Sequence, residues 1–161
     1  MFNMTDPTTG GYTPEKIALR RAISLGFPLD EQIRVVFRGD GVAANGIVPP
    51  NVTGHQASRP RAHQYDPELA RALLDRFGYK DRDGDGYREL PDGSPLVIPY
   101  VTRTTVLARE LAELWKKSMD AIGIKLVIEV MKVPDQRKAA REGKGKMTRE
   151  GWNADYPDAE N

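Results

Sequence analysis

The residues near the carboxyl-terminal end combine aromatic and acidic side chains at a spacing that suits ligand capture. Trp152, Asp155 and Tyr156 fall within five positions, and Asn153 lies between them. Aromatic rings with polar tips suit the wall of a binding site, and a shielded carboxylate can hold an ammonium group through charge-assisted hydrogen bonds. We therefore predict that Asp155 binds an amine and that the other three residues form the wall. The alternative is structural, with Trp152 in the core and Asp155 capping a turn.

A second candidate site is an acidic loop in which Asp81, Asp83 and Asp85 alternate with other residues before Gly86. Three carboxylates at this spacing, followed by glycine, match the first half of an EF-hand calcium loop. The twelfth position, which should be a bidentate Glu at the start of a helix, is Asp92 in a glycine-rich turn. The pattern therefore favours a hairpin turn with solvated carboxylates. A calcium site formed by the three Asp residues is the alternative.

No catalytic constellation is evident in the sequence. Cysteine is absent, which excludes thiol catalysis and a Cys-ligated zinc site. The two histidines, His55 and His63, lie in an irregular polar stretch without metal-ligand spacing. Neither a G-x-S-x-G elbow nor a phosphate-binding lysine loop occurs. We therefore predict a protein that is not an enzyme and that needs no cofactor.

The overall composition indicates one globular domain. The 161 residues carry 24 basic and 23 acidic side chains, so the net charge of +1 gives no reason to expect a nucleic-acid partner. No apolar run is long enough to span a membrane. The first residues, 1–7, lack the basic and apolar regions of a secretion signal. If the protein is exported, we expect its signal to lie outside this sequence.

The hydrophobic pattern predicts an α/β fold. Thr13 and Asp66 precede prolines that open helices, Asp30 is placed to cap a further short helix, and Thr104 or Thr105 precedes a long one. That long helix joins two strands and predicts a parallel βαβ unit.

The remaining segments are also predicted from the hydrophobic pattern. We expect a short strand at 87–90, a basic helix at 135–142 and a last strand that leads into Trp152. The expected strands flanking the long helix are 96–101, with Pro99 placing it at a sheet edge or bulge, and 124–130. The predicted buried faces include Leu69, Leu73, Leu74 and Phe77 in one helix and Leu107, Leu111, Leu114 and Trp115 in another.

Eight short segments occur in a recognisable order along the chain. They are Arg20-Arg21-Ala22-Ile23-Ser24, Val48-Pro49-Pro50, Tyr65-Asp66-Pro67-Glu68-Leu69-Ala70, Asp83-Gly84-Asp85-Gly86, Pro91-Asp92-Gly93, Leu114-Trp115-Lys116, Ile122-Gly123-Ile124 and Gly151-Trp152-Asn153-Ala154-Asp155-Tyr156-Pro157-Asp158. Together they resemble the family 5 extracellular solute-binding proteins, which are the oligopeptide, dipeptide and nickel receptors of ABC importers. The resemblance implies the C-terminal lobe of a type II periplasmic-binding-protein-like fold, with helices packed on a mixed sheet. It implies that residues 1–161 form a single lobe of a larger two-lobe receptor, with 1–13 and 152–161 as hinge or crossover arms.

The same resemblance implies a function. It predicts a ligand-capturing lobe for peptides or similar small amine-bearing solutes, in the periplasm or attached to the outer face of a membrane. Its partners would be the solute, an N-terminal lobe and the membrane subunits of an ABC transporter, and Asp155 would take the free α-amino group. One departure is the polar stretch 145–150, where family members have an apolar, aromatic strand. The alternative is a free-standing, calcium-dependent α/β interaction domain that uses Asp81, Asp83 and Asp85.

Overall fold

The computed structural model describes residues 1–61 and 63–149 and confirms the α/β class. Helices and strands alternate in the second half of the chain, whereas the first half is helical with long connections. No helix in the described part is both long and apolar enough to cross a membrane. The elements are α1 (Pro14–Leu25), α2 (Leu29–Glu31), a π-helical segment (Gln32–Val36), α3 (Pro67–Arg76), β1 (Val97–Thr102), α4 (Val106–Asp120), β2 (Lys125–Val130), α5 (Val133–Arg141) and β3 (Met147–Thr148).

The described strands form a three-stranded sheet in the order β2-β1-β3. β1 runs parallel to both neighbours, with Val97 opposite Lys125 in β2 and Tyr100 opposite Met147 in β3. The predicted parallel β1-α4-β2 unit is therefore present. The described strands are thus all parallel, whereas a mixed sheet was expected; the antiparallel pairing with Met147 is an isolated bridge from Phe2. The carboxyl ends of all three strands consequently lie at the same edge.

Pro99 was expected to place its strand at a sheet edge or in a bulge, and both expectations are wrong. β1 is the central strand, and its register with β2 is continuous through Pro99 and Val127. The backbone carbonyl of Val97 accepts a hydrogen bond from Lys146 Nζ at 3.2 Å. The backbone N–H and C=O groups of the odd-numbered residues of β1 therefore point towards β3. The β3 ladder begins only at Met147, opposite Tyr100. Pro99 therefore lies one step before this ladder, and its missing N–H removes no strand bond.

The hydrophobic core lies where the helices cover the sheet. α4 packs on β1 and β2, and α1 packs against α3. One face of α4 is buried because its apolar residues recur at helical spacing. The turn after α4 ends at Gly123, which has a φ of 75°. The largest fully buried side chains are Tyr79, Tyr100, Leu19, Ile23, Leu74, Leu96, Ile98, Leu111, Met119, Ile122 and Ile124.

The helix starts agree only partly with the predicted caps. Asp66 accepts from the Leu69 amide and Thr105 accepts from the Ala108 amide, as expected for N-caps. Thr13 makes no such side-chain bond, although α1 does begin at the following proline. Asp30 does not cap a helix either, because α2 already starts at Leu29. Instead, its carboxylate pairs with Arg61 across 2.8 Å.

Two residues assigned to buried helix faces are exposed. Leu69 is 44% exposed and Leu107 is 39% exposed. Both lie in the first turns of their helices, at the ends that reach beyond the core. The predicted strand at 87–90 is also wrong, because the pairing there is an isolated bridge between Glu89 and Pro95.

The first residues of the chain form an arm alongside β3. The Asn3 amide donates to the Lys146 carbonyl at 3.0 Å, and the Thr148 amide donates to the Met1 carbonyl at 3.0 Å. The Asn3 side chain also donates to the Gly143 carbonyl at 2.7 Å. The arm therefore extends the sheet beyond β3.

Candidate functional site

The carboxyl edge of the sheet is the place where this fold can bind a ligand. In open α/β sheets, ligands bind in the crevice outside the carboxyl ends of the strands. Arg103 directly follows β1, Lys132 lies two residues after β2, and Arg149 directly follows β3. All three side chains are exposed. The carboxyl edge of the sheet therefore carries three exposed basic side chains.

A chain of hydrogen bonds fixes one of these cations. Arg103 Nε donates to Gln136 Oε1 at 3.2 Å, and Gln136 Nε2 donates to the Thr148 hydroxyl at 2.9 Å. Gln136 is only 5% exposed, although α5 is otherwise mostly polar and exposed. α5 therefore connects the ends of β1 and β3 and holds the guanidinium of Arg103 in one direction. The sequence analysis missed this arrangement because it depends on the packing of α5 against β3.

The four residues predicted to bind the ligand, Trp152, Asn153, Asp155 and Tyr156, lie outside the described residues. In sequence they follow β3, whose last residue is Thr148. Their roles stay predictions.

Three aromatic rings, from the connection between α1 and α2, from β1 and from α4, lie close together. Phe27 stacks on Trp115, with ring centroids 3.8 Å apart, and Tyr100 lies 6.1 Å from Trp115. Tyr100 is 1% exposed, and its hydroxyl has no hydrogen-bond partner in the described structure. Burial raises the pKa of the Tyr100 hydroxyl, and the nearby charge of Arg149 opposes that shift. Tyr100 is thus a buried hydroxyl without a hydrogen-bond partner among the described residues.

A cavity of about 240 Å³ adjoins the Gln136 bridge. It lies between the N-terminal arm, α5 and β3. Its wall is largely apolar, with Phe2, Val101 and Met147 among the lining residues. Two members of the bridge, Gln136 and Thr148, therefore also line this cavity.

The acidic loop, residues 81–87, brings carboxylates together without leaving them free. One oxygen each from Asp81, Asp83, Asp85 and Glu89 lies within 4.8 Å of the others. Both oxygens of Asp81 accept backbone amides, from residues 84 and 86, at 2.7 and 3.0 Å. Asp83 accepts the amide of residue 85, and Asp85 accepts that of Tyr87. The carboxylates thus stabilise the turn itself, which supports the hairpin interpretation.

Each of the two histidines is placed to hold a loop carbonyl. His55 Nδ1 lies 2.9 Å from the Val48 carbonyl oxygen, and His63 Nε2 lies 2.7 Å from that of Phe27. Among the described residues, neither histidine belongs to a metal-ligand group. Their surroundings indicate a structural role.

Sequence comparison matches residues 1–161 to the family described as bacterial extracellular solute-binding proteins, family 5 Middle. The chain belongs to this family, which confirms the resemblance noted above. The dipeptide-binding protein of Escherichia coli (strain K12) is 26% identical over 147 residues, which are 91% of this chain and 26% of that protein. A probable di/tripeptide-binding protein 5 of Pseudomonas aeruginosa is 29% identical over 143 residues, which are 89% of this chain and 25% of that protein.

Solved structures show the same fold. A periplasmic oligopeptide-binding protein from Thermotoga maritima superposes with a TM-score of 0.78 at 21% identity, covering 94% of this chain and 28% of its own. NikA from Brucella suis, in complex with Fe(III)-EDTA, gives 0.76 at 26% identity and covers 92% and 30%. This chain spans about a quarter of the length of its curated relatives. The family and these neighbours are binding proteins rather than enzymes.

Proposed function

We propose that this chain is the ligand-capturing lobe of the substrate-binding protein of an ABC importer, for peptides or similar small amine-bearing solutes. Family membership supports a solute receptor. The observation that carries the assignment to this edge is the bridge from Arg103 through Gln136 to Thr148. It preorganises a cation at the edge from which the chain continues towards Asp155.

The proposed site would recognise both charges of a zwitterion. Asp155 would accept from the solute ammonium group, with Trp152, Asn153 and Tyr156 as the surrounding wall. Arg103 would donate to a solute carboxylate, because a guanidinium pairs with that group through two parallel N–H bonds. Gln136 supports this role, since it fixes the guanidinium before the solute arrives and so lowers the entropic cost of binding.

The proposed partners follow from the same function. A second lobe would close over the solute, and residues 1–13 and 152–161 would form the arms that connect the lobes. The pairing of the first arm with β3 supports this placement. Solute binding would shift an equilibrium between open and closed receptor that the transporter membrane subunits detect. The receptor would act in the periplasm or attached to the outer membrane face, and it would release its solute unchanged.

The experiment is a titration of the intact receptor with a peptide that has a free amino group. Asp155→Asn should weaken binding by at least about tenfold, because the ammonium group loses its charged partner. Arg103→Gln should weaken binding of the free peptide more than that of its C-terminal amide. Arg21→Gln, an exposed residue of α1, is the matched control and should bind normally. Unchanged affinity in Asp155→Asn would refute the amine role.

A further inference from the structure

Lys146 joins the N-terminal arm to two strands of the sheet. Its Nζ donates to the hydroxyl of Thr8 at 2.8 Å and to the carbonyl of Val97, the first residue of β1, at 3.2 Å. Its own carbonyl accepts from the Asn3 amide at 3.0 Å and from the Thr9 hydroxyl at 3.4 Å. Lys146 directly precedes β3. One residue therefore contacts the arm at three positions and holds it against β1 and β3.

Among the described residues, the ammonium of Lys146 has only neutral partners. Within that part of the chain it forms no ion pair, although the ammonium of Lys144, two positions earlier, pairs with Glu142. Lys146 is half-buried, and Thr8 is only 8% exposed. Hydrogen bonds from an ammonium are stronger than those between neutral groups, and a buried acceptor that loses its donor destabilises the fold. Lys146 therefore stabilises the docked position of the arm.

The turn that carries Thr8 is held in place independently of Lys146. One carboxylate oxygen of Asp6 accepts from the Thr8 amide at 2.9 Å and from the Thr9 amide at 2.8 Å. Arg20 of α1 donates to the carbonyl of Thr9 at 2.6 Å, and Thr9 is fully buried. The hydroxyl that Lys146 binds is therefore fixed relative to α1.

The main chain alone specifies the position of the arm on β3 only weakly. β3 is two residues long, and the arm pairs with it through a single antiparallel bridge between Phe2 and Met147. A slip of one residue would turn every side chain of the arm to the opposite face, and so short a pairing has few hydrogen bonds that oppose it. Lys146 opposes it, because its ammonium links the start of β3 to Thr8. A shift of about 3.3 Å, one residue of a strand, would break that link.

We propose that Lys146 is a positioning residue for solute capture: it fixes the register of the N-terminal arm on β3 and thereby the position from which the second lobe closes over the carboxyl edge. The inference rests on the proposed function, in which this arm connects the two lobes. Lys146 acts through the arm and does not contact the solute. A correctly placed arm lowers the entropic cost of closure, so the closed receptor opens more slowly and retains its solute longer.

The test measures the kinetics of trialanine binding to the intact receptor by stopped flow. Lys146→Met, which keeps the length of the side chain but removes its donors, should weaken the affinity about fivefold, mainly through faster dissociation. Lys146→Arg should restore most of the affinity, because a guanidinium can also donate to a hydroxyl and a carbonyl. Lys144→Met is the matched control and should bind normally, because the exposed ammonium of Lys144 pairs with Glu142 and not with the arm.

The acceptor of the same contact gives an independent check. Thr8→Val removes the hydroxyl and keeps a side chain of similar shape, so it should also speed dissociation. If both groups act through one contact, Lys146→Met combined with Thr8→Val should lose little more affinity than Lys146→Met alone. Losses that simply add would show that the two residues act independently and would contradict the proposal.

Amide hydrogen exchange separates this proposal from the proposed function. The amides of Asn3 and Thr148, which pair the arm with β3, should exchange faster in Lys146→Met than in Lys144→Met, whether or not trialanine binds. If the unmodified receptor does not bind trialanine, the proposed function fails, and faster exchange still supports the role of Lys146 in placing the arm. Unchanged exchange or normal dissociation kinetics in Lys146→Met would refute that role, as would a loss of affinity that Lys146→Arg does not restore.

Discussion

The ring of Phe27 lies parallel to the indole of Trp115, with centroids 3.8 Å apart and planes inclined by 18°. Phe27 follows the end of α1 and Trp115 lies on α4, so this stack joins two helices that are distant in sequence. The ring of Tyr100 lies 6.1 Å from the same indole and is tilted by 34° to it. The sheet and both helices therefore share one aromatic contact.

Replacement of Trp115 tests the contribution of this stack to stability. Trp115→Ala should lower the free energy of unfolding by about 2–4 kcal/mol, because it removes both ring contacts and leaves a cavity. Trp115→Phe should recover part of the loss. Urea denaturation measures both, with Tyr12→Ala as the control because Tyr12 is 80% exposed. If Trp115→Ala lowers the free energy of unfolding no more than the control does, the stack contributes little to stability.

The Gln136 bridge predicts a difference between two substitutions at one position. Gln136→Leu should lower the free energy of unfolding by about 1–3 kcal/mol and weaken solute binding, because Arg103 and Thr148 lose their shared partner. Gln136→Glu should be milder, since a carboxylate can accept from both the guanidinium and the hydroxyl.

Unfolding and solute titrations of the intact receptor measure these effects. Gln64→Leu is the control, because Gln64 is exposed. If Gln136→Leu and Gln64→Leu behave alike in both measurements, the bridge does not position Arg103.

The buried phenol of Tyr79 predicts a loss of stability at alkaline pH. Burial, together with the charge of Glu15, raises the pKa of Tyr79 from 10.0 to about 12, against a smaller opposing effect of Arg20. The unfolded chain releases this proton near pH 10 and the folded chain near pH 12. The folded state therefore binds more protons in this interval, and the free energy of unfolding falls as pH rises through it.

Tyr79→Phe isolates this contribution. Below pH 10 the stabilisation by the neutral phenol is complete, and its loss above that pH should amount to at most about 2–3 kcal/mol. Urea denaturation between pH 9 and 11 should show a shallower decline for Tyr79→Phe than for the unmodified protein. Tyr12→Phe should show the unmodified slope. Identical slopes for Tyr79→Phe and the unmodified protein would contradict the assignment.

The acidic loop predicts a structural role for Asp81 that does not depend on calcium. Asp81→Ala should lower the melting temperature by about 2 °C, because two backbone amides lose their acceptor. The decrease should be the same in calcium and in chelator. Asp83→Ala is the matched comparison, because Asp83 accepts a single amide. A calcium-dependent rise in the melting temperature that disappears in Asp81→Ala would revive the metal interpretation.

Local patterns in the sequence predicted the parts of the fold that depend on neighbouring residues. The caps at Asp66 and Thr105 and the β1-α4-β2 unit follow from spacing over a few turns, and the structure contains them. The position of Pro99 in the central strand could not be predicted, because it depends on where β3 begins, nearly 50 residues later. The Gln136 bridge was missed for the same reason. No local signal distinguishes a buried glutamine on a polar helix from an exposed one.

The ligand-binding residues Trp152, Asn153, Asp155 and Tyr156 were predicted from their chemistry and from the family resemblance. They lie outside the residues that the structure describes, so their roles depend on the titrations proposed above. The cations at the carboxyl edge were not recognised in the sequence. Each is a single basic residue after a strand, and only the parallel pairing brings the three to one edge.

The contact between the first residues and β3 determines the order in which this unit can fold. The Thr148 amide donates to the carbonyl of Met1 across a separation of 147 positions. Closing so long a loop costs more entropy than forming the β1-α4-β2 unit, whose partners are about 28 positions apart. The arm should therefore dock last, and its amides should be among the first to exchange with solvent. During synthesis, the arm can pair with β3 only after residues 147–148 have left the ribosome, when nearly the whole unit has been made.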